Sequence, residues 1–165
     1  MTSIDVLMAL LDTRAVDPWP ELLYEVGDLK RIAGHSARSH PTISDLRPVR
    51  RLRDELAPAV LGRDLAKGRR ILDELARKHA ITPALGDGGG LHFRSATDGF
   101  AGELAAVLVL AAMELYATGL IERVCECSAP GCVTSFVDSS RKRNRTFCSA
   151  ACGTRMRVRR YRERQ

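Results

Sequence analysis

The chain is 165 residues long, 45% hydrophobic and 28% charged. That balance excludes collagenous, low-complexity and disordered classes and suits one domain with a small appendage. Only 5% of residues are aromatic, and the formal net charge is +6, from 26 basic and 20 acidic residues.

The amino-terminal stretch SIDVLMALLDTRA sets Ile4, Leu7, Leu10 and Leu11 at helical spacing. No basic residue precedes this apolar run, so an export signal is not expected. In DPWPELLYEVGDLKRIAG, Pro20 suits a first helical turn and Gly34 a helix end. Ser36 to Thr42 reads as a loop. Ser44 and Asp45 then cap a helix whose Leu46, Val49, Leu52, Leu56 and Val60 form one apolar stripe, and Pro58 should kink or end it. A further helix is expected from Asp64 to Ala80, with Leu65, Leu72, Leu75 and Ala76 on one side. In ITPALGDGGGLHFRS, two extended runs flank Asp87-Gly88-Gly89-Gly90, the pattern of a β-hairpin. Asp98 is placed to cap a long apolar helix running to about Gly119. The stretch Leu104 to Ile121 contains Glu114 and much Ala, so it reads as a core helix. A bilayer span needs about 20 strongly apolar residues. No membrane partner is expected, and the expected location is cytoplasmic.

The composition changes at Arg123, which places a domain boundary at about Glu122, between residues 1–122 and 123–165. All five cysteines lie beyond it. Four form two close pairs, Cys127 with Cys132 and Cys148 with Cys152, separated by a 15-residue gap. Two such pairs deliver the four soft ligands that tetrahedral zinc requires, so one structural zinc per chain is expected. Pro130 and Gly131 allow a tight knuckle in the first pair. The second pair is spaced i, i+4 at the start of a helix with Ser149 as cap, beside the positive end of the helix dipole. Cys125 is one residue from Cys127, too close to share the tetrahedron, and is left out. Four thiolates leave zinc no open position, and the chain has no nucleophile elbow, phosphate loop or HExxH motif. Catalysis is not expected.

The segment CSAPGCVTSFVDSSRKRNRTFCSAACGTRMRVRRYRERQ resembles the CGNR zinc finger of bacterial stress-induced transcription regulators. The matching features are the cysteine pairs, FVDSS (Phe136 to Ser140), Arg145, Phe147 to Ser149, CGTR and the final YRER. Thr154 stands where the family has Asn, and Phe147 where it has Trp. MALLDTR and the helices after it resemble, more weakly, the amino-terminal ABATE domain of that family. The resemblance implies a transcriptional role, a sensing or assembly domain with a small-molecule effector, and a finger that docks on duplex DNA near the nucleoid. The expected fold is mainly α, of the α+β type: a helical domain with a small hairpin, then a treble-clef-like four-cysteine finger ending in a basic helix.

Charge supports polyanion binding independently of that resemblance. Residues 138–165 hold ten Arg or Lys and two acids, a net +8, leaving residues 1–137 at −2. At about 100° per residue, Arg155, Arg159 and Arg162 share one stripe of the final helix, and Arg157, Arg160 and Arg164 share the opposite one. Cys152 and Met156 should face the zinc core. The expected DNA contacts are Arg141, Lys142, Arg143 and Arg145 in the loop, with Arg155, Arg159 and Arg162 on the helix. One finger buries too little surface for tight specific binding, so a homodimer or a partner protein is expected. The competing readings are a protein–protein interaction module, an RNA-binding protein and a redox switch in which Cys125 attacks after zinc release.

Overall fold

A computed structural model describes residues 2–16, 20–86 and 88–164. Helix α1 (Ser3–Leu11) starts at a capping box: Thr2 accepts the Asp5 N–H, and the Asp5 carboxylate accepts the Thr2 N–H at 2.7 Å. The second helix, α2 (Val26–Ala33), begins six residues later than Pro20 suggests, leaving Pro20 outside it. Asp28 sets this start by accepting the backbone N–H groups of Tyr24 and Glu25. Its carboxyl is held below the usual range by those two donors. Asp17, in the same stretch, lies outside the described residues. Gly34 ends α2 as expected.

Helix α3 (Leu46–Val60) follows a 3-10 turn at Ile43–Asp45 and carries the expected stripe: Leu46, Val49, Leu52, Leu56 and Val60 are all buried. Asp45 is its N-cap residue, but without a side-chain bond; Asp45 instead joins Thr42 in a capping box for the 3-10 turn. Pro58 lies inside α3, which ends two residues later, consistent with the missing N–H. Asp64 caps α4 (Leu65–Lys78) through the Lys67 N–H. Leu72 and Leu75 are buried, and Leu65 and Ala76 pack against the core from its edge. Strands β1 (Thr82–Leu85) and β2 (Leu91–Arg94) pair antiparallel, with Leu85 opposite Leu91. Of the turn residues read from sequence, Asp87 lies outside the described residues.

Helix α5 (Phe100–Ala117) is the centre of the fold, packed against α1, α3 and α4. Asp98 does not cap it; the cap residue is Gly99 at φ 85°, with no side-chain bond. Leu104, Leu108, Val109 and Leu115 are fully enclosed by Leu7, Leu10, Leu11, Leu56 and their neighbours. Among the described residues α5 alone is long and apolar enough to cross a membrane, and most of it is buried in this core. At Gly68 of α4 the Tyr116 hydroxyl comes in to donate to the Ala59 carbonyl at 2.7 Å, and a Cβ there would strike it. Three helices meet at that point because the residue is glycine.

A 3-10 turn (Leu120–Arg123) leads into a second hairpin, β3 (Val124–Glu126) and β4 (Ser135–Val137), with Cys125 opposite Phe136. The chain ends in helix α6 (Ala150–Arg162), two residues shorter than Arg164 would allow. The second hairpin is not a free appendage. Val124 and Val137 pack against the helical core, the Ser135 N–H donates to Asp12 Oδ1 at 2.6 Å, and Arg14 lies 3.7 Å from Glu126. Asp12 and Arg14, just beyond α1, therefore hold the hairpin. Between them, Thr13 accepts from the buried Arg53, whose guanidinium also binds the Glu21 carboxylate through both terminal nitrogens.

Candidate metal centre and basic surface

Each cysteine of the two pairs is placed by local backbone chemistry. The Cys127 N–H donates to the Thr134 carbonyl at the mouth of the β3–β4 hairpin. The chain then turns, with the Cys132 N–H on the Ala129 carbonyl at 3.0 Å. Gly131 takes φ 75° in that turn, the left-handed region a side chain resists, so the knuckle needs glycine there. Ser149 caps α6 by accepting the Cys152 N–H at 3.3 Å, which puts Cys148 and Cys152 on one side of the first turn. The Cys148 N–H points at the Cys127 sulfur, 3.4 Å away.

The four Sγ atoms all lie within 4.8 Å of one another. Cys148 Sγ is 3.7 Å from both Cys132 Sγ and Cys152 Sγ. A tetrahedron with zinc–sulfur bonds of about 2.3 Å has sulfurs about 3.8 Å apart. The residues thus fit one zinc ion, with ligand set Cys127, Cys132, Cys148 and Cys152. Cys125 lies outside the cluster, on β3, half-buried.

Electrostatics favours the same occupant. Burial pushes the Cys132 thiol up, but the Thr134 hydroxyl and N–H and the sulfurs of Cys127 and Cys148 outweigh it and bring it down to about 7. Cys148 is pushed well up, by burial first and then by the other three sulfurs. One thiolate forms readily and the next is opposed by its neighbours. A divalent cation between them removes that opposition, because it stabilises all the thiolates together.

Asp138, 2% exposed, closes the loop between the pairs. Its Oδ1 accepts the Ser140 N–H at 2.8 Å and its Oδ2 the Arg145 N–H at 3.0 Å. On the other side its backbone pairs with Arg123, the N–H donating to the Arg123 carbonyl at 2.8 Å. Arg145, grouped with the loop cations by sequence, turns its guanidinium inward. It lies 4.9 Å from the Phe136 ring centroid and donates to the Phe147 carbonyl at 2.8 Å and to the Cys148 carbonyl. Sequence reasoning missed this role, because the path of the loop over Phe136 decides which of its cations folds back.

The remaining loop cations, Arg141, Lys142 and Arg143, are exposed and have no acidic partner among the described residues. On α6 only Cys152, Gly153 and Met156 are partly covered, as the expected zinc-facing side requires. Arg155 donates to Cys152 Sγ at 3.6 Å, and Arg159 pairs with Glu163 at 2.8 Å. Arg162 is exposed on the same stripe. On the opposite stripe Arg157 donates to the Thr154 hydroxyl at 3.0 Å. Among the described residues the ion pairing of α6 is internal, so that stripe does not meet the acids of the helical part.

No curated protein matches the chain. The four-cysteine site, its knuckle and its capped helix nonetheless identify the carboxyl-terminal segment: residues 123–165 match the family model described as CGNR zinc finger.

Proposed function

We propose that the protein is a zinc-dependent DNA-binding transcription regulator, whose finger grips the duplex while residues 1–122 sense an effector or mediate assembly. The observation that carries this reading is the segregation of charge. The segment with net +8 exposes its cations, whereas one of its two acids, Asp138, is buried and the other, Glu163, is paired with Arg159. A surface so stripped of free acid attracts phosphates at a distance. In this reading zinc is structural: it fixes α6 against the knuckle and takes no part in chemistry, and the protein is not an enzyme. The phosphate contacts come from Arg141, Lys142 and Arg143, and the groove contacts from Arg155 and Arg159, in a homodimer that doubles the footprint.

The test is binding of the zinc-loaded chain to labelled duplex DNA across a salt series. With about five phosphates neutralised, log affinity should fall against log salt with a slope of about −4 to −5. The Arg155→Ala/Arg159→Ala double variant should lose affinity while retaining its zinc. A flat salt dependence, or unchanged affinity in that variant, puts a protein-interaction role ahead.

A further inference from the structure

We infer that Asp138 is a positioning residue for phosphate binding: its buried carboxylate holds the 139–144 loop in the shape that presents Arg141, Lys142 and Arg143 to the backbone of a nucleic acid. The inference rests on the DNA-binding reading and names how that site is built.

Its basis is the geometry of one side chain. The two oxygens of Asp138 accept the N–H groups of Ser140 and Arg145, residues on either side of the three cations. Within this clasp the Arg143 N–H donates to the Ser140 carbonyl at 3.3 Å. Arg143 adopts φ 50°, a conformation that a non-glycine residue holds only when its surroundings impose it. The clasped loop is exposed from Arg141 to Thr146 and contains no acid. Three cations forced into a tight turn repel one another, and an unclasped loop would spread them. The negative charge that opposes this repulsion is hidden beneath the loop, where a phosphate does not meet it. Arg145 completes the arrangement from the other end by anchoring itself on Phe136 and on the carbonyls of Phe147 and Cys148.

Charge and positioning make opposite predictions for Asp138→Asn. Removing a negative charge beside three cations should tighten binding to a polyanion if the loop kept its shape. If Asp138 positions the loop, the amide loses one of its two acceptors and binding should weaken about tenfold, because the loop must be ordered on binding. Asp138→Glu keeps the charge but displaces the carboxylate by a methylene, and it should weaken binding in the same direction. In both variants the salt slope should stay near that of wild type, since the cations are still present.

The experiment measures labelled-duplex affinity across a salt series for full-length wild type, Asp138→Asn and Asp138→Glu, each with its zinc content determined. Weaker binding in zinc-replete variants supports the inference; one zinc-replete variant suffices if the other loses metal. Equal or tighter binding overturns it and leaves DNA binding standing. Loss of zinc in both variants also overturns it, because Asp138 would then hold the metal fold rather than the loop. A wild type that fails to bind duplex overturns the DNA-binding reading and this inference with it.

Discussion

The helical part and the finger use the same residue types for different ends. In residues 2–122, helix α5 is walled in by leucines and valines from α1, α3 and α4, and Arg53 is 3% exposed with its guanidinium fully engaged by Glu21, Asp54 and Thr13. In residues 123–164, α6 has no buried residue at all, and Cys127, Ala129, Ser135 and Asp138 are the buried ones. The first region can fold because it removes apolar surface from water. The second lacks that means, and its four sulfurs take the place of a core. Two arginine sets mark the contrast: Arg53 is buried with its guanidinium engaged, whereas Arg141 and Arg143 of the finger loop are exposed and without an acidic partner among the described residues.

Metal removal should therefore have the largest effect, and it should fall on one side only. Structural zinc sites of this kind bind with apparent free energies of about 10 kcal/mol or more, most of it folding energy. Cys132→Ser, or a strong chelator, should abolish stoichiometric zinc and melt α6. Circular dichroism should retain the helices from α1 to α5, and hydrogen exchange should remain slow along α5. Fast exchange in α5 after zinc loss would mean that the helical core depends on the metal as well.

The converse change is Leu108→Asp. Leu108 is fully enclosed on α5, so an aspartate there is a charge without a partner, costing about 4 kcal/mol or more. Thermal unfolding followed at 222 nm should show the helical part lost near room temperature. Zinc should remain bound to the finger with unchanged stoichiometry if the two regions fold by separate means.

The metal site was legible because its information is local. Cysteine spacing, Gly131 in the knuckle and Ser149 at the helix start each act over a few residues. The stripes of α3 and α4 were legible for the same reason, since periodicity is a property of the segment itself. The failures occurred where backbone geometry chose between adjacent candidates. Asp98 looked like a cap, but Gly99 at φ 85° turns the chain so that the aspartate is one residue too early. Pro20 looked like a first turn, but Asp28 collects the N–H groups of Tyr24 and Glu25 and starts α2 later. The contact between Asp12 and Ser135 spans 123 positions, and no sequence window contains it; the turn of Arg145 onto Phe147 and Cys148 is local, but the path of the loop decides which of its cations makes it.

That last contact gives the smallest expected effect and the most direct look at how the two regions are joined. Burial pushes the Asp12 carboxyl up to about 6, even though the Ser135 N–H and the nearby Arg14 favour its charged form. Its folded pKa thus lies above the unfolded value of 3.8, so the native state binds the proton more tightly. The stabilisation this gives is complete below pH 3.8 and is lost as pH rises through 6. Asp12→Asn keeps an oxygen to accept the Ser135 N–H but cannot ionise. Wild type should therefore fall behind the asparagine variant as pH rises from 5.5 to 7.5, by on the order of 0.5 kcal/mol once solvent screening of this partly exposed group is allowed for. Both proteins carry the same finger and are measured with zinc in excess, so that any effect of pH on the thiolates is common to the two and cancels in the comparison. Melting curves of the two proteins across that range provide the measurement. A gap that stays constant with pH would show that Asp12 is already ionised throughout, and that the hairpin rests on a charged hydrogen bond rather than on a buried acid.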